Sequence, residues 1–333
     1  MDESIVINIL ALTGKSYTPS TRLRVYEMSP FLKKYGINIH IVRYPKSFFT
    51  LKKILEKEKR FNILWLQKKM PNFFKYFLFK NLKIPIIFDY DDNLLVRMIP
   101  KNNSYDSLSR KIKFNLIKNF SSGFTCGNKF LAEFILDTNK PFLIYPTPVP
   151  IDVPKKDKNK INNPIIIGWI GLSGGFMYLK KIMRQLIKMW NEVNFKLVII
   201  SNENYPEKLP FIENKKWNLK TQEYEIANFD IGIMPLNTSS PYDKGKCSYK
   251  LLQYMAAGVI PVGEAYGNNT EVIKNGVNGF LVYNEKWYET LKFIISDIEG
   301  IYKKMQKNIL ESIKKYSFEA QAEKLANFFF KFI

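Results

Sequence analysis

The sequence predicts an α/β protein built from two doubly wound domains. Its 333 residues exceed what one hydrophobic core usually organises, and 46% of them are hydrophobic, which is enough for two cores. Short β-branched runs alternate with helical patterns, as is typical of parallel β-α-β units. A stretch rich in Pro, Lys and Asn interrupts this alternation, so we predict a linker at 151–163 between domain 1–150 and domain 164–316.

In the first domain, six apolar runs predict strands, in the order "IVINILAL" from Ile5, "INIHIV", "FNILWLQ", "IPIIFDY", "GFTC" and "PFLIYP". A helix is expected near Arg22–Tyr35, a Lys-rich helix follows "INIHIV", and another helix begins at Pro71.

In the second domain, the strands are predicted at "IIIGWIG", "FKLVII", "FDIGIMPL", "GVIPVG" and "GFLVY". The tail, 297–333, is helical in pattern, and its last helix, 317–333, has enough apolar surface to join the first domain.

The composition of the chain excludes several classes of protein. No apolar run approaches the ~18–20 residues that span a bilayer, and the N-terminus lacks the pattern of a signal peptide. Cys126, Cys247 and the single histidine, His40, give neither a disulfide framework nor metal-ligand spacing, so we expect no metal site and a cytoplasmic protein. His40 lies in a strand pattern and is expected in the core.

The chain is strongly basic, with 51 Lys and Arg against 30 Asp and Glu and a net charge of +21. Residues 1–150 contribute 25 basic and 11 acidic side chains, and the rest of the chain 26 and 19. This excess indicates an anionic partner such as nucleic acid, phospholipid or a phosphate-bearing substrate, although a solvated basic surface gives the same count.

Open parallel sheets bind ligands at the carboxyl ends of their strands, so the loops there are the candidate sites. In "GWIGLSGG", small residues between a strand and a helix let backbone amides approach an anion, or form a plain glycine turn. The residues are Gly171, Ser173, Gly174 and Gly175. The spacing is neither a dinucleotide fingerprint nor a Walker loop.

Lys246 and Lys250 in "KCSYKLLQYMAAGVIPV" are predicted on one face at the start of a helix. Cations are disfavoured there by the helix dipole, so a ligand such as a diphosphate would supply the counter-charge; solvated lysines are the alternative. The next strand leads into Gly267, Asn268 and Asn269, a turn whose amides can face a sugar, and Glu271 follows in the first helical turn.

In the first domain, Arg22 and Arg24 follow a loop rich in small polar residues, and "FDYDD" ends a strand with Asp89, Asp91 and Asp92. Acidic residues at such a position bind substrate or serve the fold, whereas a lone "DYDD" is weak support for a metal.

Together, "FDIGIMPL", "KGKCSYKLLQYMAAGVIPV" and "NTEVIKNGVNGFLV" resemble the donor-binding half of glycosyltransferase family 4, and "GWIGLSGG" is similar to the glycine loop that opens it. Shorter similarities in "TPSTRLRVY", "FDYDDNLL" and "CGNKFLAEFI" extend the resemblance over most of the chain. The implied fold is GT-B, with two Rossmann-like domains facing a cleft and a final helix crossing back to the first.

The resemblance implies transfer of a sugar from a nucleotide-diphosphate sugar to a glycan or lipid-linked acceptor, with retention of configuration and without a metal or other cofactor. It places Lys246, Lys250 and Glu271 in catalysis and Arg22, Asp91 and Asp92 on the acceptor side. The implied donor contacts are Gly171, Ser173, Gly174, Gly175, Gln253, Gly267, Asn268, Asn269 and Thr270. Many members carry two glutamates eight positions apart here; this chain has Gly245 and Gln253 instead.

Residues 46–83 hold 11 basic and two acidic residues interleaved with aromatics. We predict a helix that has Phe74, Phe77, Leu78 and Leu82 on one side and that lies on an anionic membrane surface. The enzyme would then be a peripheral protein at the inner face of the cytoplasmic membrane. Its role would be in the synthesis of an envelope polysaccharide. A core helix is the alternative. Two rival functions are a nucleic-acid-binding protein, for which no recognition motif is present, and a GT-B-type nucleotide-sugar epimerase.

Overall fold

The computed structural model describes residues 6–157 and 159–333. Ile5, where the first strand was predicted to begin, and Lys158 of the predicted linker lie outside the described residues. The strands of the first half are β1 (Ile7–Thr13), β2 (Ile37–Arg43), β3 (Ile63–Gln67), β4 (Ile86–Tyr90), β5 (Val96–Lys101), β6 (Ser104–Asp106), β7 (Gly123–Cys126) and β8 (Phe142–Ile144). Its helices are α1 (Pro19–Thr21), α2 (Ser29–Lys33), α3 (Phe48–Leu55), α4 (Phe73–Lys80), α5 (Leu108–Phe120) and α6 (Lys129–Ala132).

The second half of the chain repeats this alternation. Its strands are β9 (Ile165–Ile170), β10 (Phe195–Ser201), β11 (Ile212–Lys216), β12 (Ile231–Met234), β13 (Ile260–Glu264) and β14 (Phe280–Val282). Its helices are α7 (Phe176–Trp190), α8 (Gln222–Ala227), α9 (Pro241–Lys244), α10 (Tyr249–Ala256), α11 (Asn269–Val272), α12 (Trp287–Ser296), α13 (Ile298–Ile313) and α14 (Phe318–Phe330).

The chain divides into two units. The first contains the chain up to Pro148 together with Ser240–Cys247 and Tyr316–Ile333. The second contains Val149–Ser239 and Ser248–Lys315. The short segment Ser240–Cys247 therefore belongs to the first unit although the sequence on both sides of it belongs to the second.

Each unit is built on a six-stranded parallel sheet. The strand order is β2-β1-β3-β4-β7-β8 in the first unit and β11-β10-β9-β12-β13-β14 in the second. Both orders reverse direction once, between β1 and β3 and between β9 and β12, which is the topology of a doubly wound sheet. The predicted α/β class with two Rossmann-like domains is confirmed.

Two parts of the sheet architecture were missed. β11 at the edge of the second sheet has the sequence "IENKK", whose charged side chains hide the strand pattern. β5 and β6 form an antiparallel hairpin that directly follows the polar end of β4. The single helix expected near Arg22–Tyr35 is instead α1, a π-helical turn at Arg22–Tyr26 and α2.

α14 belongs to the first unit, as the fold class predicted. The ring of Phe318 stacks on Phe31 of α2 at 5.1 Å between centroids, and Phe329 meets Trp65 of β3 edge-to-face at 5.4 Å. Burying aromatic rings in pairs of this kind contributes about 0.5–1.5 kcal/mol beyond the area they remove from water. The final helix is thus part of the hydrophobic core of the first unit.

The structure also places His40 and the predicted linker. His40 is exposed on β2 beside the ring of Phe61, so its expected place in the core is wrong. Lys156, in the predicted linker, is buried and its ammonium lies 2.7 Å from Asp230 Oδ1, which fastens that segment to the second unit. Across residues 6–157 and 159–333, none of the helices combines the length and the hydropathy needed to cross a bilayer.

Candidate active site

Ligand sites in doubly wound sheets form where the strand order reverses, at the carboxyl ends of the strands. In the second unit this point lies at the ends of β9 and β12. The glycine loop that holds Gly171 to Gly175 follows β9, and α10 follows β12 after the segment Ser240–Cys247. Two of the motifs predicted to bind a donor therefore lie at the expected edge.

Trp169, the penultimate residue of β9, forms the floor of this loop. Its side chain is 1% exposed. A methyl group added at Gly171 would lie 2.6 Å from its ring, and one added at Gly175 would lie 2.9 Å away. Contacts this short exclude a side chain at Gly171, so the loop requires glycine because the backbone passes directly over the indole. Trp169 was not among the predicted site residues, although its position two residues before Gly171 was a usable signal.

Lys250 is the second residue of α10 and lies against the same floor. Its ammonium is 5.5 Å from the centroid of the Trp169 ring, and its Cε atom would lie 2.9 Å from a methyl group on Gly171. The structure thus brings Lys250 and the glycine loop together, with the lysine half-buried. A positive charge here adds to the positive end of the helix dipole, which favours an anionic ligand.

The glycine loop is fixed by a residue that the sequence analysis did not select. Asn202, just beyond β10, accepts a hydrogen bond from the Ser173 amide through Oδ1 at 2.8 Å. Its Nδ2 group donates to Ser173 Oγ at 3.3 Å. Ser173 therefore holds the loop in place, while Gly174 is exposed with open space around it.

Ser248 caps the start of α10 with a left-handed backbone, φ 56°. Its hydroxyl donates to Asn269 Oδ1 at 2.7 Å and accepts from Asn268 Nδ2 at 3.2 Å. Asn269 is fully buried, and its Nδ2 donates to the Glu264 carbonyl oxygen at 3.0 Å. The Asn269 side chain is therefore enclosed within the fold, whereas Gly267 and Asn268 are half-buried and Thr270 is exposed.

The remaining predicted donor residues are more dispersed. Glu271 is exposed in the short helix α11. Gln253 is half-buried and lines a small cavity of about 10 Å³ with Glu223 and Tyr249. That cavity has room for about one water molecule.

Glu264, at the carboxyl end of β13, is a buried acid that the sequence analysis also missed. Its Oε2 accepts a hydrogen bond from Trp287 Nε1 at 2.9 Å, and the side chain is 1% exposed. Burial raises the pKa of the Glu264 carboxyl, and the hydrogen bond from Trp287 opposes that rise. The Gly that precedes Glu264 and its place at the end of a strand were the available signals.

In the first unit, an acidic pair and a lysine meet at the carboxyl ends of β3 and β4. Lys68 has a left-handed backbone, φ 53°, and its ammonium contacts Asp91 Oδ1 at 2.8 Å and also Asp92 Oδ2. Burial alone would raise the pKa of Asp91, but Lys68 and Arg24 hold it below its ordinary value. Asp91 is thus a fixed carboxylate, and Asp92 beside it is half-buried.

Lys246 does not share a helix face with Lys250, so that prediction is wrong. α10 begins at Tyr249, and the left-handed Ser248 separates the two lysines. Lys246 lies in the first unit, with its ammonium 5.3 Å from the Tyr242 ring centroid and 3.8 Å from Asp243 Oδ1.

Hydrogen bonds fix the segment Ser240–Cys247 in the first unit. Asn128 Nδ2 donates to the carbonyl oxygens of Gly245 and Lys246 at 3.0 and 3.3 Å, and Cys247 Sγ donates to the Asp91 carbonyl at 3.2 Å. A methyl group on Gly245 would lie 2.8 Å from Asn93. A side chain at position 245 would therefore collide with Asn93.

The two arginines that follow the loop after β1 have separate roles. Arg22 pairs with Glu27 at 2.6 Å within the π-helical turn and is half-buried. Arg24 is fully buried in a bidentate pair with Asp89, and its Nη1 donates to the Tyr145 carbonyl at 2.7 Å. Arg24 and Asp89 therefore serve the core, whereas Arg22 lies near the surface.

Within the part of the chain that the structure describes, no group of three or more His, Cys, Asp or Glu side chains is placed to hold a metal ion.

Part of the second half of the chain matches a known protein family. Residues 165–297 match the family described as Glycosyl transferases group 1. No curated protein sequence shows a significant match to the chain. The matched range contains β9, the glycine loop, α10 and the turn after β13, which lie at the edge of the second sheet described above.

Solved structures resemble the whole chain. HepE from Anabaena, in complex with UDP, is 13% identical and covers 97% of this chain and 99% of its own, with a TM-score of 0.69. A glycosyltransferase from Rickettsia africae is 12% identical over 98% of both chains, with a TM-score of 0.74. Sucrose-phosphate synthase from Thermosynechococcus elongatus is 10% identical over 98% of both chains, with a TM-score of 0.71. The fold is that of GT-B glycosyltransferases, and the family match together with this fold supports a glycosyltransferase.

Proposed function

We propose that this protein is a family 4-type glycosyltransferase that transfers a sugar from a nucleotide-diphosphate sugar with retention of configuration. The observation that carries the proposal is the position of Lys250. It lies at the start of α10, over Trp169 and against the glycine loop, at the point where the strand order of the second sheet reverses. A diphosphate is the ligand whose charge matches a lysine and a helix N-terminus at one edge.

In the proposed reaction, the bond between the anomeric carbon and the diphosphate oxygen breaks, and an acceptor hydroxyl oxygen bonds to that carbon. The acceptor proton passes to the leaving diphosphate. The developing negative charge is stabilised by Lys250 and by the backbone amide of Gly174, because the amides of Gly171, Ser173 and Gly175 donate hydrogen bonds within the fold. Because these groups provide the positive charge, the proposed mechanism requires neither a metal nor another cofactor.

The donor contacts that we propose follow the same edge. Gly174 and Gly175 approach the diphosphate, while Gly267, Asn268 and Thr270 approach the sugar, with Glu271 nearby. Gln253 is assigned to the ribose hydroxyls in place of the usual family glutamate, because its amide can donate and accept hydrogen bonds.

On the first unit, we propose that Asp91 and Asp92 bind hydroxyl groups of a glycan or lipid-linked acceptor. Lys68 holds the Asp91 carboxylate in its charged form, so it accepts hydrogen bonds throughout the neutral range. Arg22 and Lys246 are further candidates on this side. We place the enzyme in the cytoplasm, where nucleotide sugars are made, in the synthesis of an envelope polysaccharide.

A thermal-shift screen tests the donor assignment. A ligand that binds only the folded state stabilises it by RT ln(1 + [L]/Kd), so a donor present at about 100 times its Kd adds about 2.7 kcal/mol. UDP, GDP, CMP and dTDP sugars are compared with their free bases. We expect one nucleotide sugar and its nucleotide to raise Tm; no rise with any of them contradicts the proposal. Sugar conversion without an acceptor would favour an epimerase instead.

A further inference from the structure

The first unit carries an exposed aromatic face at the beginning of α3 and α4. We define the aromatic face as Phe49, Phe73, Phe74 and Phe77. These side chains are 79%, 60%, 72% and 45% exposed, respectively. Large apolar side chains gathered on one surface indicate an interaction site, whereas single exposed ones are ordinary.

The hydrophobic core does not use the aromatic face. α4 packs into the core through Tyr76 and Phe79, while Leu78 and Leu82 are half-buried against it. The predicted single apolar side of this helix is therefore divided: its leucines serve the core, and Phe74 and Phe77 point outward.

The aromatic face is held in a fixed geometry. Lys75 is buried, and its ammonium donates to the carbonyl oxygens of Pro45 and Lys46 at 3.0 and 2.6 Å, which ties α4 to the chain just before α3. Phe49 and Phe74 then line one groove of about 360 Å³ between the two helix starts. A rigid surface loses little conformational entropy when it binds.

The charge around the aromatic face is positive. Residues 46–83 contain 11 basic and two acidic side chains, and Lys46, Lys52, Lys53 and Lys80 are all exposed. Exposed phenylalanines surrounded by lysines are suited to an anionic bilayer surface. The rings can enter the boundary between headgroups and acyl chains, while the ammonium groups remain beside the lipid phosphates.

The aromatic face also lies near the edge of the first sheet where the carboxyl ends of the strands lie. α3 and α4 begin just after the carboxyl ends of β2 and β3, and Lys68, Asp91 and Asp92 lie at the carboxyl ends of β3 and β4. The β5–β6 hairpin that follows β4 adds exposed Met98 and Ile99. A surface bound to the aromatic face would therefore lie beside the acceptor-side carboxylates.

We propose that the aromatic face docks the protein on an anionic phospholipid bilayer, so that an acceptor anchored in that bilayer reaches Asp91 and Asp92. The second clause rests on the proposed glycosyltransferase function, whereas bilayer binding itself does not. Electrostatic attraction brings the protein to the surface, and insertion of Phe49, Phe73 and Phe74 holds it there.

The test is flotation of the full chain with vesicles of phosphatidylcholine alone or with roughly 30 mol% phosphatidylglycerol. We expect binding to the anionic vesicles only, and weaker binding when NaCl rises from about 0.1 to 0.5 M, because salt screens the lysines. The variant Phe49→Ser/Phe74→Ser is expected to lower the partition coefficient at least about tenfold. Phe293→Ser, at a residue that is 63% exposed on α12 of the second unit, is the matched control and should bind like the wild type.

Three results would overturn the proposal: no binding to anionic vesicles, equal binding by the double variant, or a dimer that the double variant converts to a monomer without vesicle binding. The last result would assign the face to a second copy of the chain. Tm shifts with the nucleotide identified by the thermal-shift screen are measured on the same variants in solution, so a loss of nucleotide binding is distinguished from a loss of docking.

Discussion

Replacing Lys250 with alanine tests the donor site most directly. Two unit charges 4 Å apart interact by about 4 kcal/mol at an effective dielectric constant of 20, and removing one preorganised group that stabilises a developing negative charge typically costs ~2–4 kcal/mol. At 1.36 kcal/mol for each tenfold change, kcat/KM should fall by about 30- to 1,000-fold.

The same substitution should leave the fold nearly unchanged. Lys250→Ala loses a cation–π contact with Trp169 of about 0.5–1 kcal/mol, but it also removes a cation from the first turn of α10, where the dipole disfavours it by about 0.3–1 kcal/mol. These effects have opposite signs, so we expect the free energy of unfolding to change by less than about 1 kcal/mol. A catalytic effect is therefore separable from a stability effect.

The assay measures release of the nucleotide from the donor identified by thermal shift, together with urea unfolding of each variant. Lys304→Ala, at an exposed position of α13, removes an equal charge away from the sheet edge and serves as the control. Near-wild-type kcat/KM in Lys250→Ala, or an equal loss in Lys304→Ala, would remove Lys250 from the mechanism.

Three further predictions concern buried polar groups. Arg24→Met removes the only cation paired with the buried Asp89 carboxylate in the described residues and leaves it the hydrogen bond from Thr125, so the free energy of unfolding in urea should fall by about 3–5 kcal/mol; a loss below ~1 kcal/mol contradicts this. Ser248→Ala leaves Asn269 Oδ1 without its donor and should cost about 1–3 kcal/mol, with Ser248→Gly costing less because glycine adopts a positive φ freely. Burial raises the pKa of the Glu264 carboxyl in the folded protein. The stability that this carboxyl contributes is therefore fully present below its unfolded pKa of ~4.3 and is lost as pH rises through its folded pKa. Glu264→Gln should therefore gain Tm relative to the wild type as pH rises above about 4, and parallel Tm curves would argue against this.

The sequence predicted the fold well because the spacing of hydrophobic residues and the residues typical of turns are local features of the chain. Almost every buried strand of the two sheets coincides with an apolar run, and the reversal points follow from the order of those runs. β11 was missed because an exposed edge strand needs charged side chains rather than apolar ones.

The site was less predictable because it depends on contacts between distant parts of the chain. Lys246 and Lys250 are four residues apart, a spacing that in a helix gives one face, but Ser248 interrupts the helix in a left-handed conformation. That conformation is stabilised by Asn268 and Asn269, about twenty residues further on. Trp169 was similarly hidden, since its indole gains a role only when Gly171 and Lys250 fold over it.

The segment Ser240–Cys247 has a practical consequence for dissecting this protein. Because its hydrogen-bond partners Asn93, Asn128 and Asp91 all precede Pro148, no single cut in the gene yields two self-sufficient halves. A fragment that starts at Val149 would contain the eight-residue segment Ser240–Cys247 without its hydrogen-bond partners. It would also contain α14 without the aromatic residues against which this helix packs. Recombining lobes from different members of this fold would therefore need three exchanged pieces rather than one crossover.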